Sequence, residues 1–270
     1  MIVGICGLGF VGEAIYTFMN KTLCASYDII SDIVVYDKYK QINTLDALLY
    51  ADILYICIPT PYNELTRAYN MDEIDNTLFL LAELNYKGII LLKSTVLPTY
   101  CTDINKIYPS LKIVHNPEFL MAKTAKEDFA QQKHIILGYT AQAKGSINVV
   151  TDFYKALFPY AVISLNTPEE SALTKLACNS FYACKVQFFT ELYLLCERTQ
   201  VDFNTIKSLM LNNEWINPMH TTVPGPDGQI SFGGACLPKD INALNQYMLF
   251  NSVPNGVVNA TILERNDMRQ

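Results

Sequence analysis

The sequence predicts an α/β protein in which a Rossmann-type doubly wound parallel sheet is followed by an all-helical domain with one long central helix. Up to about Ser164, short β-branched runs alternate with helical stretches, the pattern of parallel strands joined by crossover helices. After Asn166 the alternation stops and helical patterns follow. A length of 270 residues suits two medium domains, which we place at residues 1–166 and 167–270.

Short apolar runs supply the predicted strands, and periodic stretches supply the helices. The strands cover residues 2–6, 33–36, 53–58, 88–92, 112–115 and 135–138. Helical candidates between them include residues 12–20 and 72–84, and a further one in the second domain covers residues 202–212. The repeated order of strand, helix and strand predicts a sheet with helices packed on both faces.

The second domain begins with a clear helix start. Thr167 is a capping residue, Pro168 suits the first helical position, and Glu170 at the third completes a capping box. No glycine or proline interrupts the helical pattern until past Thr199. We therefore expect one long helix, followed further along by a glycine- and proline-rich loop at residues 213–234.

Composition and charge exclude several classes of function. No apolar run approaches the ~20 residues that a bilayer-spanning helix needs, so no membrane segment is expected. The apolar start at residues 1–6 has no basic leader before it, and we interpret it as a buried strand of a cytoplasmic protein. The net charge of −6 comes without a long basic run, which argues against a nucleic-acid partner.

The eight cysteines form no C-x-x-C pair and no cluster with the three histidines, so no metal site is expected. Most of them lie in apolar runs, where a thiol packs as a small hydrophobic group. Cys236 differs, because glycines precede it and Pro238, Lys239 and Asp240 follow it in a predicted loop. A lysine and a helix N-terminus near a thiol increase its thiolate fraction. Cys236 is therefore a candidate nucleophile, although a loop cysteine taken alone is more often inert.

A glycine-rich turn, Gly7-Leu8-Gly9-Phe10-Val11-Gly12, follows the first predicted strand and opens the first helix. Its glycines permit a tight turn, let backbone N–H groups approach a pyrophosphate, and let helix and strand pack closely. Asp37 ends the second strand, where its carboxylate can bind both hydroxyls of an adenosine ribose and would repel a 2′-phosphate. We predict an NAD site, with NAD favoured over NADP. The alternative is a tight turn in a doubly wound fold that binds another ligand.

Polar residues follow several predicted strands at the edge where open α/β sheets bind ligands. Glu118 is interpreted either as an activator of water or as a helix N-terminal carboxylate favoured by the dipole. Thr60 and Thr95 follow two other strands. On the long helix, Lys175 and Asn179 are four residues apart and share one face, where together they can stabilise an oxyanion. Each of the two alone would be interpreted as a solvated helix residue.

Six segments, in this order, resemble the UDP-glucose and GDP-mannose dehydrogenase family: GLGFVG, CIPTP, KSTV, NPEFL, KLACN and FGGACLPKD. The last of these is highly specific. The resemblance covers nearly the whole chain but only the first two of the family's usual three domains, so the third, nucleotide-binding domain is expected to be absent. It implies oxidation of the C6 alcohol of a nucleotide sugar, with UDP-glucose as the expected substrate, in two steps that consume two NAD and one water.

The resemblance also implies a role for each matching catalytic residue. Cys236 would attack the intermediate aldehyde and carry a thioester after the second hydride transfer. Lys175 and Asn179 would hold the substrate oxygen. The groups that position or deprotonate the alcohol and the water would be Glu118, Thr95 and Asp240.

Cofactor, sugar and subunit contacts are implied in the same way. The cofactor residues would be Gly7, Gly9, Phe10, Val11, Gly12, Asp37, Pro59, Thr60 and Lys239. The sugar pocket would be lined by the main chain at Phe119, Leu120, Phe232 and Gly233. In the family the long helix packs against its counterpart in a second subunit, so a homodimer is expected.

Three departures from the family pattern bear on the predicted activity. Ala122 stands where the family usually has a second glutamate, so one candidate carboxylate is missing. Residues 217–220 replace an arginine-containing turn, and residues 227–229 look inserted. Two other functions therefore stay open. One is a single-step β-hydroxyacid dehydrogenase, a two-domain enzyme that also carries a lysine and an asparagine four apart; the other is an NAD-binding protein without turnover.

Overall fold

A computed structural model describes residues 1–25 and 29–269. The chain divides into two compact units, Met1–Pro61 with Tyr69–Lys175 and Tyr62–Ala68 with Leu176–Gln270. The division falls inside the long helix, which therefore contributes residues to both units. No helix in the described part of the chain is both long enough and apolar enough to cross a membrane.

The strands of the described residues are β1 (Ile2–Cys6), β2 (Asp32–Tyr36), β3 (Ile53–Ile56), β4 (Tyr62–Asn63), β5 (Ala68–Tyr69), β6 (Ile89–Leu92), β7 (Lys112–His115), β8 (His134–Tyr139) and β9 (Val162–Asn166). Seven of them form one sheet in the order β2-β1-β3-β6-β7-β8-β9, and β4 pairs with β5. The six predicted strands are confirmed. The short β4–β5 pair and β9 were not predicted.

The sheet is mostly parallel, as predicted, with one exception between β7 and β8. Those two strands pair antiparallel, with Val114 opposite Tyr139 and His115 opposite Gly138. The connection between them contains only a six-residue helix, so the chain turns back at the carboxyl edge of β7 without a full crossover. Strand and helix alternation alone cannot distinguish these two kinds of connection. The polar segment that begins at Asn116 therefore stays at this edge of the sheet.

The helices of the described residues are α1 (Phe10–Cys24), α2 (Asp72–Glu83), α3 (Tyr100–Ile107), α4 (Ala125–Ala130), α5 (Ile147–Leu157), α6 (Pro168–Thr199), α7 (Phe203–Leu211), α8 (Leu237–Phe250) and α9 (Gly256–Met268). The long helix is confirmed as α6, which has 32 residues. Its predicted capping box is formed: the N–H of Thr167 donates to Glu170 Oε2 at 2.8 Å, and the N–H of Glu170 donates to Thr167 Oγ1 at 3.2 Å.

Two apolar clusters cover the two faces of the large sheet. On β3, Ile53 and Tyr55 pack into one cluster, whereas Leu54 and Ile56 pack into the other. Burial on both faces explains why this strand is a continuous apolar run in the sequence. The second unit has smaller cores of its own, one of which joins α6, α8 and α9 around Phe232.

Candidate active site

The glycine-rich turn between β1 and α1 is shaped by close backbone contacts. Gly7 has a φ of 91°, and its N–H donates to the carbonyl of Tyr36 at 2.8 Å. A Cβ on Gly12 would lie only 1.9 Å from the carbonyl oxygen of Gly7, so a side chain there would push the turn away from the helix. A Cβ on Gly9, in contrast, would meet no atom of the described residues within 4 Å. The open side of the turn therefore has room for a bound group.

A cavity of about 510 Å³ lies beside this turn, within the first unit. Its walls include Gly9, Asp37 and Pro59, and the side chains of Leu45 and Leu80 add apolar surface. This volume falls in the usual range for small-molecule and cofactor sites, and a mainly apolar wall with a few polar groups is typical of them.

The carboxylate of Asp37 is anchored at the edge of this cavity. Its Oδ2 accepts from the N–H of Leu8 at 2.7 Å, and its Oδ1 accepts from the N–H groups of Tyr39 and Lys40 at 3.0 and 2.8 Å. Burial opposes ionisation, but the three N–H groups hold the pKa of Asp37 below its usual value. A carboxylate has about four acceptor positions. Roughly one acceptor position of Asp37 therefore remains, which suits one hydroxyl of an adenosine ribose rather than both.

These features fit a dinucleotide. Gly9 is the N-cap residue of α1 and has no side chain, so the N–H groups of the first helical turn remain available to a phosphate. The ionised carboxylate of Asp37 favours a ribose hydroxyl and disfavours a 2′-phosphate. Gly7, Gly9 and Asp37 are thus the groups that would hold NAD, which supplies the hydride acceptor when it is bound.

Hydroxyl groups join the loops that follow β3 and β6. The hydroxyl of Thr60 donates to the carbonyl of Thr95 at 2.8 Å, and the hydroxyl of Ser94 donates to the carbonyl of Ile58 at 2.6 Å. Thr60, Ser94 and Thr95 are all buried. Because β3 and β6 are parallel neighbours, these bonds fix both loops at the carboxyl edge of the sheet.

A buried amine lies against the segment that follows β7. Lys93 is 4% exposed, and its Nζ donates to Oδ1 of Asn116 at 3.1 Å. The hydroxyl of Tyr154 donates to the same oxygen, and Nδ2 of Asn116 donates to the carbonyl of Ile136 at 2.9 Å. Burial penalises the ammonium form and lowers the pKa of Lys93 to about 8. Asn116 is therefore fixed by three partners.

Glu118 and Lys175 form a buried ion pair within the first unit. Oε1 of Glu118 lies 3.1 Å from Nζ of Lys175, and the two side chains are 8% and 4% exposed. The ammonium also donates to the carbonyl of Glu118, while Oε2 of Glu118 accepts from the N–H of Leu120 at 2.6 Å. Lys175 Nζ lies 5.0 Å from the ring centre of Phe119. A carboxylate and an ammonium held in this way can move a proton and stabilise an oxyanion.

The second unit holds a separate polar contact between α6 and α8. Nδ2 of Asn179 donates to Oδ2 of Asp240 at 2.5 Å, and Nζ of Lys239 donates to Oδ1 of Asp240 at 2.5 Å. Asn179 and Asp240 are both buried. Although Lys175 and Asn179 are four residues apart on one helix, they thus bind different carboxylates. Lys239, which the resemblance assigns to the cofactor, has its ammonium on Asp240.

Cys236 is the N-cap residue of α8, with a φ of −102° and a ψ of −55°. It is partly buried. Gly234 before it has a φ of 77°, a conformation that side-chain-bearing residues rarely adopt, and Pro238 lies in the first turn of the helix after it. The positive end of the helix dipole favours the thiolate form of a cysteine at this position.

The remaining predicted site residues differ in exposure. Phe119 is 42% exposed and Phe10 is 38% exposed. Leu120 and Val11 are partly buried and pack against the core of the first unit. Phe232 is only 2% exposed, so its ring belongs to the core of the second unit and only its main chain can line a pocket.

Two groups near these residues were not predicted. Nζ of Lys40 donates to the carbonyl of Leu8 at 2.7 Å and to Oε1 of Glu13 at 2.9 Å, and so it bridges the glycine turn and α1. His115 is fully buried, with Nδ1 2.8 Å from Oγ of Ser171, and burial lowers its pKa to about 3. The sequence carries one signal for each residue: Lys40 follows the second predicted strand, and His115 ends the fifth.

Two sequence models of one family match the chain in order. The NAD-binding domain of the UDP-glucose/GDP-mannose dehydrogenase family matches residues 28–158. The central domain of the same family matches residues 169–267. The two matches together cover well over half of the chain.

Relatives and solved structures agree with these matches. The UDP-glucose 6-dehydrogenase of Rickettsia conorii (strain ATCC VR-613 / Malish 7) is 33% identical over an alignment of 239 residues that covers 84% of this chain and 51% of that protein. The chain thus spans about half the length of this relative. A UDP-glucose dehydrogenase from the hyperthermophilic archaeon Pyrobaculum islandicum is similar in structure, with a TM-score of 0.83 and 21% identity over 98% of this chain and 68% of that one.

The fold is also similar to that of a shorter enzyme. A 3-hydroxyisobutyrate dehydrogenase of Mycobacterium tuberculosis has a TM-score of 0.71 and 11% identity, over 97% of this chain and 91% of that one. At such low identity the two structural likenesses establish the fold alone. Because the family's two domain models match in succession, however, the chain belongs to the UDP-glucose/GDP-mannose dehydrogenase family, and its first unit is built on that family's NAD-binding domain.

Proposed function

We propose that this chain carries the redox chemistry of an NAD-dependent dehydrogenase that converts the C6 alcohol of a nucleotide sugar, UDP-glucose in particular, to a carboxylate. The alcohol first loses a hydride and a proton to give an aldehyde. The thiol of Cys236 then adds to the aldehyde carbon and gives a thiohemiacetal. Loss of a second hydride and a proton leaves a thioester, which water hydrolyses to the acid and the thiol. NAD bound at the glycine-rich turn would accept each hydride, so two NADH are expected for each acid.

The placement of Cys236 carries this proposal. The residue lies at the N-terminus of α8, where the helix dipole favours a thiolate, and the pair Gly233-Gly234 lies two residues before it. On the same helix, Asp240 binds Asn179. A nucleophile beside a fixed amide and carboxylate is the arrangement expected for attack on an aldehyde and for release of the product by water.

Glu118 and Lys175 are the proposed acid–base pair of the first unit. The lysine would stabilise the oxygen of the alcohol as it loses its proton, and the carboxylate would accept a proton from the alcohol or from water. Their mutual contact at 3.1 Å holds both groups in place. With Ala122 where the family usually has a second glutamate, Glu118 is the one carboxylate that we assign to this role on the NPEFL segment.

We propose that a second copy of the chain covers one face of α6. Phe181, Phe188 and Leu195 follow each other at intervals of seven residues and are 64%, 54% and 57% exposed. Such spacing places them on one stripe of the helix, the pattern of helices that pair along their length. A homodimer through α6 would remove this apolar surface from water.

The test is the stoichiometry of NADH formation from UDP-glucose, measured by absorbance together with chromatography of the sugar product. We expect about two NADH for each UDP-glucuronate formed. Cys236→Ser should prevent formation of the acid, whereas Cys24→Ser, at an exposed position in the first unit, should behave as wild type. A Cys236→Ser variant that still completes both oxidations would disprove the mechanism.

Two other outcomes would replace the proposal. One NADH for each small hydroxyacid oxidised, with no dependence on Cys236, would identify a β-hydroxyacid dehydrogenase. NAD binding in calorimetry without turnover of any nucleotide sugar would identify a binding protein that has kept the fold.

A further inference from the structure

Arg269 binds several residues of the loop that leads to Cys236. The guanidinium of Arg269 donates through Nε to the carbonyl of Ile230 at 2.7 Å and through Nη2 to the carbonyl of Ser231 at 2.7 Å. Its Nη1 and Nη2 also donate to Oδ2 and Oδ1 of Asp227 at 2.7 and 3.3 Å. The arginine side chain is only 10% exposed. Four bonds from one planar group fix the relative positions of three residues of the loop.

Asp227, which pairs with Arg269, belongs to residues 227–229, the segment that looks inserted relative to the family pattern. Its Oδ1 also accepts from the N–H of Gln229 at 3.1 Å, and the N–H of Gly225 donates to the carbonyl of Gln229 at 2.8 Å. The Arg269 guanidinium holds the pKa of the Asp227 carboxyl below its usual value. The segment therefore forms its own turn, and one carboxylate connects that turn to the end of α9.

The glycine before the cysteine segment makes this contact possible. A Cβ on Gly233 would lie 2.0 Å from Nη1 of Arg269 and 3.0 Å from Oδ2 of Asp227. The salt bridge thus lies directly against the main chain of Gly233, three residues before Cys236. Only a residue without a side chain leaves room for it.

Helix α9 holds the same stretch from a second point. Nε of Arg265, one turn before Arg269, lies 3.4 Å from the carbonyl of Phe232. The ring of Phe232 packs with Ile262 of α9 in a core of the second unit. Three consecutive carbonyls, at residues 230, 231 and 232, are therefore each bound by an arginine of the chain's last fifteen residues.

We propose that Arg269 and Asp227 are positioning residues that set the main chain of Phe232 and Gly233 for the sugar and, through it, the placement of Cys236. This inference rests on the proposed function, since it assigns the pair to the sugar side of that reaction. The pair does not touch the reacting atoms. Its loss should therefore weaken sugar binding while binding of NAD, which belongs to the first unit, stays the same.

The experiment compares Arg269→Gln and Asp227→Asn with Arg198→Gln, a control at an exposed position in the last turn of α6. We expect Arg269→Gln to raise KM for UDP-glucose about tenfold, a change equivalent to about 1.4 kcal/mol, with KM for NAD within twofold of wild type. Amide hydrogen exchange over residues 225–234 should rise by a similar factor in that variant and stay unchanged in the control.

The outcomes separate this inference from the proposed function. Unchanged exchange in Arg269→Gln would overturn the inference, and so would faster exchange with an unchanged sugar KM, because the pair would then be a structural brace only. If wild type turns over no nucleotide sugar, the proposed function fails. Exchange over residues 225–234 then decides alone whether Arg269 holds the loop.

Discussion

The two units hold their polar groups in different ways, as a comparison of one ion pair from each unit shows. In the first unit, Glu118 lies in the segment that follows β7 of the sheet and Lys175 lies on α6, and their side chains are 8% and 4% exposed. Arg269 and Asp227 in the second unit are 10% and 44% exposed and hold a loop. Groups placed by a sheet edge are fixed when the core forms, whereas a loop needs side-chain bonds of its own.

This difference has energetic consequences. Removing one partner of a buried pair leaves an unpaired charge in a poorly solvated place, at a cost of about 3–5 kcal/mol. Removing one partner of an exposed pair costs about 0–1 kcal/mol, because water solvates the other. Substitution of the buried pair in the first unit should therefore lower the free energy of unfolding of the protein. Substitution of the pair near the cysteine segment in the second unit should mainly change the activity.

The largest expected effect is on stability. Lys175→Met leaves the carboxylate of Glu118 buried without its ammonium, and we expect the free energy of unfolding to fall by about 3–5 kcal/mol in urea denaturation. Lys106→Met is the matched control, because Lys106 is 71% exposed and pairs with Asp103 on the surface. Equal losses in the two variants would contradict the distinction between buried and exposed pairs.

A pH effect in the first unit comes next. Burial lowers the pKa of His115 from 6.5 to about 3, so below pH 6.5 the unfolded chain binds a proton that the folded chain does not. The stability that the neutral ring contributes is complete above pH 6.5 and is lost as pH falls towards 3. Between pH 6.5 and about pH 4.5, wild type should lose about 2 kcal/mol more than His115→Gln. Parallel pH profiles of unfolding would show that the ring is not held neutral.

A smaller effect is expected at the cofactor cavity. Asp37→Asn removes the charge that excludes a 2′-phosphate but keeps a carbonyl oxygen in the same place. We expect Kd for NAD to rise about tenfold, which corresponds to a loss of about 1.4 kcal/mol in binding free energy. The difference in affinity between NAD and NADP, measured by calorimetry, should become smaller. Asp32→Asn, at the exposed far end of β2, is the control and should bind NAD as wild type does. An unaltered NAD to NADP ratio in Asp37→Asn would remove Asp37 from the cofactor site.

The smallest effect belongs to the second unit. Asp227→Asn removes a carboxylate that is 44% exposed, and Arg269 keeps the carbonyls of Ile230 and Ser231 as partners, so the free energy of unfolding should fall far less than in Lys175→Met. Thermal unfolding of this variant beside Lys175→Met tests the comparison directly. A loss in Asp227→Asn as large as in Lys175→Met would mean that the loop is part of the folding core.

The sequence predicted the parts of the fold that depend on local pattern. Strands such as β1 and β7 are short apolar runs, and the start of α6 depends on Thr167, Pro168 and Glu170, which act within one turn. The antiparallel direction of β8 was beyond prediction because an irregular connection can either cross the sheet or turn back. Pattern alone carries no information on that choice.

Side-chain partners were harder to predict than positions. The spacing of Lys175 and Asn179 suggested one shared target, yet Lys175 binds Glu118 and Asn179 binds Asp240. Such pairing depends on residues about sixty positions away. The contact of Arg269 with Asp227 likewise joins residues 42 positions apart, with no local signal in either segment.

The most direct test of the mechanism is to trap the sugar on the protein. Wild-type chain is mixed with UDP-glucose and NAD, quenched in acid during turnover, digested and examined by mass spectrometry. The proposed mechanism predicts a sugar acyl adduct on the peptide that carries Cys236, and its loss in Cys236→Ser. Formation of UDP-glucuronate with no adduct at Cys236, or with the adduct on another cysteine, would contradict it.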